Sequence, residues 1–141
     1  MKATLCAGLS FEFSYRIPED KTVPHVYPES DLFRAMPRVF ATAYMVGLVE
    51  WACMEAMRPH LDPGEQSVGV DVHLSHCAAT PPGLTVTVQV HVEKVEGRRI
   101  RFSVKSHDGV EPIGEGTHER SVIDPARFVA KVKQKAASAT V

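Results

Sequence analysis

Residues 39–57 read VFATAYMVGLVEWACMEAM, and this stretch restricts the fold more than any other. From Val39 to Val49 it carries no charge, and its apolar residues do not keep to one stripe. That distribution predicts a single long helix buried on most sides. The rise from Ala41 to Met57 amounts to roughly 25 Å. Pro59 ends the helix, because its ring cannot continue the hydrogen-bond ladder. Glu50 is the anomaly. A carboxylate in apolar surroundings loses hydration and is ordinarily paired or functional. Its helical neighbours Val46, Gly47, Cys53 and Met54 include no cation, so no local ion pair explains it. Two readings stay open: an exposed stripe or a distant basic partner on one side, a working carboxylate on the other. Gly47, one turn back, costs helix propensity and leaves room beside Glu50 for a ligand or a second backbone.

A chain of 141 residues suits one domain, 1–141, with a core of ordinary size. A net charge of −1 supplies no general field for nucleic acid or an anionic membrane surface. No apolar run is long enough to span a bilayer, and the start MKATLCAGLSFEF is a poor export signal, so a cytoplasmic protein is expected. Cys6, Cys53 and Cys77 are odd in number and lack metal-type spacing; free thiols in a reducing compartment are the simple reading. The seven histidines form no HxxxH or HExxH pattern, so no metal is expected.

Residues 10–17 alternate, with Phe11, Phe13, Tyr15 and Ile17 on one face, and predict a first strand. Pro18, Pro24 and Pro28 then break regularity, making 18–38 a loop with one turn of helix near 30–34 capped by Ser30 or Asp31. In this loop Phe33 and Met36 either pin it to the body or form a lid over a pocket. Residues 67–77 alternate again, placing Val68, Val70, Val72, Leu74 and His76 toward the core and Gly69, Asp71, His73 and Ser75 on the other face. Further strands follow at 84–95, 98–106 and 110–123, joined by turns at Glu96-Gly97 and His107-Asp108-Gly109. Gly114 and Gly116 in the last strand permit a close backbone approach or a bulge. Asp124-Pro125 starts a short helix over 126–135, and 136–141 is expected to fray. The order is strand, loop, long helix, then four strands with short connections. Without βαβ alternation the sheet is antiparallel, giving an α+β chain in which one helix lies against a single curved sheet, the hot-dog arrangement. A helix this apolar needs more cover than one small sheet supplies, which points to a homodimer.

On that frame Glu50 and His76 approach one pocket from opposite sides, as a carboxylate and imidazole that activate a nucleophile or water. An inward histidine is as readily a satisfied core residue. Thr42, at the helix start, donates to a substrate carbonyl or attacks it, unless its hydroxyl only bonds its own backbone. Thr42 and Glu50 are roughly 12 Å apart along the helix, so substrate lies between them or one meets a second chain. Lys94, Arg98, Arg99, Arg101 and Lys105, with Arg120 and the tail lysines, form a cationic group that is either a solvated face or a site for a phosphorylated carrier such as coenzyme A.

KTVPHVYPES (21–30), VFATAYMVGLVEWAC (39–53), ATPPGLTVTV (79–88), VEGRR (95–99), HDGV (107–110) and GTHER (116–120) occur in that order. On these segments the chain resembles the fluoroacetyl-CoA thioesterases of the hot-dog superfamily, over about residues 21–135. The resemblance implies Thr42, Glu50 and His76 as catalytic residues, Gly69 beside the thioester, and Phe33 as the aromatic loop residue. It implies hydrolysis of a small acyl-CoA, with coenzyme A arriving as part of the substrate and no separate cofactor. In the family this protects the cell from fluoroacetate. Met36 stands where the family has a lid phenylalanine linked to recognition of the fluorinated acyl group, and Ala43 where a glycine is expected. Methionine is apolar but flexible, which puts fluorine selectivity in question rather than the hydrolysis. A general short-chain thioesterase, a hot-dog dehydratase or hydratase, and a non-catalytic acyl-CoA-binding module are the other readings.

Overall fold

The structure is a computed structural model and describes residues 1–139. Its elements are β1 (Ser10–Arg16), α1 (Asp31–Arg34), α2 (Thr42–Met57), β2 (Gln66–Leu74), β3 (Thr85–Glu96), β4 (Arg99–His107), β5 (Pro112–Ile123) and α3 (Pro125–Ser138). The five strands form one sheet in the order β1-β3-β4-β5-β2, with every neighbouring pair antiparallel. This is the expected α+β frame: a curved sheet around a central helix.

The alternation in β3 and β4 builds the sheet's inner face. Val86, Val88, Val90 and Val92 of β3 and Ile100, Phe102 and Val104 of β4 are buried and meet Met45, Val49, Ala52, Cys53 and Met57 of α2 in one apolar cluster. Each such side chain contributes about 1.5–3 kcal/mol by leaving water. The turn after β3 is made by Gly97 and Arg98, with Gly97 at φ +59°, a conformation that favours glycine. At the end of β5, the Asp124 carboxylate accepts from the amides of Ala126 and Arg127 and caps α3 with Pro125 at its first turn.

Four expectations need correction. First, α2 starts at Thr42 rather than Val39, because Phe40 is held extended in a bridge to Thr22 and donates its amide to the Thr80 carbonyl at 2.8 Å. Second, α2 is covered on one side only. Met45, Leu48, Val49, Ala52, Cys53 and Met57 are buried, whereas Ala43, Gly47, Trp51 and Met54 are exposed. Third, α3 continues to Ser138, so 136–138 are helical where fraying was expected; 140–141 lie outside the described residues.

The fourth correction concerns β2. Its register against β5 shifts between Gly69 and Asp71, so Val70 is the extra residue of a β-bulge. Directly opposed residues share a face. Ser67 opposes the buried Val122, Gly69 opposes Arg120, and Val72 opposes His118. Ser67 and Gly69 therefore face inward together with Val72 and Leu74, while Val68 and Val70 do not. A strict period of two had put Gly69 on the outside. The bulge, which no alternation pattern reveals, turns it toward α2. β2 also ends at Leu74, leaving His76 on the following segment. That segment stays tied to β5 by amide bonds from Ser75 to Glu115 O (2.8 Å) and from Cys77 to Ile113 O (2.7 Å).

Candidate active site

Two polar pairs stand at opposite ends of α2's first three turns. At the helix start, Thr42 Oγ1 lies 2.7 Å from His76 Nδ1. Thr42 is the first helical residue after Ala41, which caps nothing with its side chain, and its hydroxyl is used by His76 rather than by its own backbone. The edge of the buried Phe40 ring faces the imidazole, with centroids 6.5 Å apart. Phe40 N–H···O=C Thr80 fastens the segment carrying Thr42 to the loop that follows His76. Thr80 is fastened in turn by its hydroxyl to the buried carboxylate of Asp108 at 2.9 Å. Burial lowers the His76 pKa below the ordinary imidazole value, with the Ala78 backbone acting in the opposite sense. A neutral His76 can accept the Thr42 proton at Nδ1. Its Nε2 is buried and has no hydrogen-bond partner among the described residues.

Two turns further on, Glu50 Oε2 accepts from Arg120 Nη1 at 3.2 Å. The distant base is thus real, and it lies 70 residues away in sequence on β5. Arg120 is only 3% exposed, and it also donates from Nε to Ser67 Oγ at 2.8 Å and from Nη2 to Ser67 O at 2.9 Å. This overturns its grouping with the solvated cations, since it faces inward and holds a carboxylate. Glu50 itself keeps 40% of its side chain exposed. A carboxylate anchored on one oxygen and open on the other side suits work on an incoming group. Gly69 completes this end. A Cβ there would stand 3.2 Å from His118 Cε1 and 3.5 Å from both Arg120 Nη1 and Glu50 Oε2. The glycine leaves room at this close approach, and its backbone angles do not call for one.

Glu50 and His76 do not meet within one chain, although both face the inner side. His76 pairs with Thr42, Glu50 pairs with Arg120, and the two pairs are about 12 Å apart along the helix. Cys53, beside the Glu50 pair, is no candidate nucleophile: burial pushes its thiol up to about 12, helped by the Glu50 charge against that of Arg120. Phe33 sits on α1, whose N-cap Ser30 accepts the Phe33 amide, and its ring packs on Tyr27 with centroids 5.4 Å apart. Met36 is 48% exposed. Neither packs against the main apolar cluster, so they do not pin the loop to the body. The reading of individual residues missed His118 and Ser67. The available signal was spacing: on one strand His118 shares the face of Arg120 two residues on, as Ser67 shares that of Gly69.

Two half-sites, one an imidazole with a hydroxyl and one an anchored carboxylate, on a helix cradled by a curved antiparallel sheet, place the chain among the hot-dog thioesterases. A Thermus thermophilus member of the thioesterase superfamily has the same fold, with a TM-score of 0.81, 28% identity and 93% of each chain covered. The relation narrows further. Residues 19–126 match the family described as fluoroacetyl-CoA-specific thioesterase, and the chain belongs to that family. It is 54% identical over 135 residues to the fluoroacetyl-CoA thioesterase of Streptantibioticus cattleyicolor, covering 96% of this chain and 97% of that one. It superposes on the crystal structure of a variant fluoroacetyl-CoA-specific thioesterase in complex with fluoroacetate and CoA, with a TM-score of 0.85 and 54% identity. That match covers 86% of this chain and 98% of the other.

Proposed function

We propose that this protein hydrolyses fluoroacetyl-CoA to fluoroacetate and free coenzyme A, as a cytoplasmic homodimer whose active sites are each completed by both chains. The observation that carries the reading is the division of the polar groups along the edge strand β2. Glu50, Gly69 and Arg120 cluster at its start, and His76 with Thr42 lies just past its end. β2 is an unpaired edge, and its Val72 is 45% exposed on the inner face. A second copy adding to this edge in antiparallel fashion sets the start of one β2 against the end of the other. It would also cover Ala43, Gly47 and Met54 of α2. Gly47 suits this, because a Cβ there would meet nothing within 4 Å of its own chain. His76 of one chain is then directed toward Glu50 of the other, and a small acyl group lies between them.

In that composite site Glu50 acts as nucleophile or as general base toward water at the thioester carbonyl. Where Glu50 is the base, water adds to the carbonyl, the C–S bond breaks, and His76 relays a proton from that water to the thiolate sulfur. Where Glu50 is the nucleophile, C–S cleavage leaves an acyl-glutamate that water then hydrolyses, restoring the carboxylate. Thr42, hydrogen-bonded to His76, positions or polarises the carbonyl. Coenzyme A enters as part of the substrate and leaves as the free thiol, and the proposed chemistry uses no metal and no further cofactor. The loop 18–38 with Phe33 and Met36 serves as the lid, its exposed apolar side chains free to close on the acyl group. Among the described residues no helix is long and apolar enough to cross a membrane, in keeping with a cytoplasmic site of action.

The test is thiol release from fluoroacetyl-CoA and acetyl-CoA side by side. A strong preference for the fluorinated substrate upholds the reading. Comparable rates on both would leave a general short-chain thioesterase, the alternative that Met36 favours because a flexible side chain replaces a rigid ring. Release from neither substrate would reject fluoroacetyl-CoA hydrolysis and move the weight to another acyl group or to a non-catalytic acyl-CoA-binding module.

A further inference from the structure

The geometry points to His118 as the positioning residue of the Glu50 half-site: a neutral imidazole, with its proton on Nδ1, that fixes the Arg120 guanidinium against Glu50. The inference rests on the reading of Glu50 as the working carboxylate. His118 lies in the middle of β5 and is 1% exposed. The strand beside it carries Ile100, Phe102 and Val104 on the same inner face, so a second apolar side chain would have extended the core there. A buried imidazole in its place costs hydration unless both nitrogens are satisfied.

Both are. His118 Nδ1 is 2.8 Å from the Asp71 carbonyl oxygen, and a carbonyl only accepts. His118 Nε2 is 3.2 Å from Arg120 Nη1, and a guanidinium only donates. The two partners leave one consistent state, with Nδ1 protonated and Nε2 bare. Arg120 Nη1 carries two hydrogens; one goes to His118 and the other to Glu50. The guanidinium is planar and rigid, so His118 holds the orientation of the whole group whose Nη1 meets the carboxylate. Ser67 holds the remaining edge of the guanidinium. The β2 bulge supplies the first link, since the register shift between Gly69 and Asp71 turns the Asp71 carbonyl to His118. Gly69 supplies the room, lying against the His118 ring where a Cβ would crowd it.

The groups facing His118 are Asp71 from β2, Glu50 from α2 and Arg120 from its own strand. Burial lowers its pKa below the ordinary imidazole value; the Asp71 carbonyl opposes this, the Arg120 charge adds to it, and Glu50 opposes it more weakly. The neutral form thus persists to a lower pH than in a free imidazole.

Two substitutions separate positioning from packing. His118→Asn keeps a donor near the Asp71 carbonyl, but its side chain is too short to bring an acceptor to the position of Nε2 beside Arg120. His118→Gln reaches far enough to offer Arg120 a carbonyl oxygen. His118→Asn is expected to lower kcat by about 10- to 100-fold with KM within about threefold, because a misplaced reacting group costs rate rather than binding. His118→Gln should recover most of that loss. Equal losses in the two variants, or none, would overturn the proposal. Two readouts stand apart from turnover. The long-range 1H–15N spectrum of the wild-type protein should show His118 with one protonated Nδ1 and one bare Nε2 at neutral pH; the opposite tautomer overturns it. The Glu50 side-chain carboxyl 13C resonance should move in His118→Asn and return toward the wild-type position in His118→Gln, whereas an unmoved resonance overturns it. Absence of turnover in the wild-type protein would instead strike the thioesterase reading, with these two spectra still deciding what His118 does to Glu50.

Discussion

The two ends of the site helix differ in how much of their geometry is set before anything binds. At the Glu50 end, a guanidinium 3% exposed donates to Ser67, His118 and Glu50, and a glycine keeps the corner clear. At the Thr42 end, a single hydrogen bond joins an exposed hydroxyl to an imidazole whose second nitrogen has no partner among the described residues. The first arrangement cannot turn without breaking several bonds. The second can exchange its one bond for another in a single rotamer step. The comparison teaches that a site can divide its labour, with the charged group built in place and the imidazole–hydroxyl pair left adjustable.

The largest effect should come from neutralising the fixed end. Glu50→Gln keeps an acceptor for Arg120 and so preserves the fold, but should reduce turnover by about 10²- to 10⁴-fold. Near-normal thiol release in that variant would break the assignment. His76→Ala should fall in the same range. Mixing and reassociating these two inactive variants then tests whether the ends work across a dimer. A mixed dimer carries one site with both defects and one with neither, so about a quarter of wild-type activity should return after random exchange. No recovery would show that each chain works alone.

Gly69→Ala should cost less, on the order of 1–3 kcal/mol of stability from overpacking against the His118 ring, together with lower kcat. Thermal denaturation alongside kinetics checks both. The pH response should be smaller still. His76 and His118 both have folded-state pKa values below the ordinary imidazole value of 6.5, burial being the largest cause for each. Just below pH 6.5 the unfolded chain binds more protons than the folded one. Stability is therefore full above that pH and declines as pH falls through the folded-state values. The slope is at most about 1.4 kcal/mol per pH unit for each proton. Denaturant titrations at pH 7.5 and 5.5 should show it, and a flat profile would contradict the buried neutral state of both rings. The smallest change should follow Met36→Phe, expected to shift the fluoroacetyl-to-acetyl rate ratio by only a few-fold, since one side-chain contact in an apolar pocket discriminates weakly.

The sequence made the scaffold legible where local pattern and burial agree. The alternating valines of β3, the cap of α3 and the body of the apolar helix α2 lie where local pattern put them, because each depends on neighbours a few residues away. Ser30 was legible as a cap for the same reason, accepting the Phe33 amide within one turn. Glu50, His76 and Thr42 were legible as polar groups in apolar surroundings, with their roles implied by resemblance, but their partners were not. Thr42 and His76 are 34 residues apart, Glu50 and Arg120 are 70 apart, and no period links either pair. Gly69 was placed on the wrong face because one extra residue, Val70, inverts the strand before the bulge relative to the strand after it. Arg120 was grouped with cations read either as a solvated face or as a coenzyme A site, because a guanidinium in a basic sequence looks the same whether it faces water, a phosphate or a carboxylate.

The crossing of the His76 segment over β5 bears on how such a site can diversify. A Cβ at Gly114 would collide with the Ser75 carbonyl, and one at Gly116 with that of His73. These are backbone collisions, so no rotamer or neighbouring side chain can relieve them. In a randomised library of variants, both positions should return glycine among the folded survivors whatever acyl group is selected for. Tolerated variation is then pushed toward the loop 18–38, where Tyr27, Leu32 and Met36 are exposed and a change of shape disturbs little else. New substrate preferences should accumulate in that loop, while the strand crossing beneath His76 stays fixed.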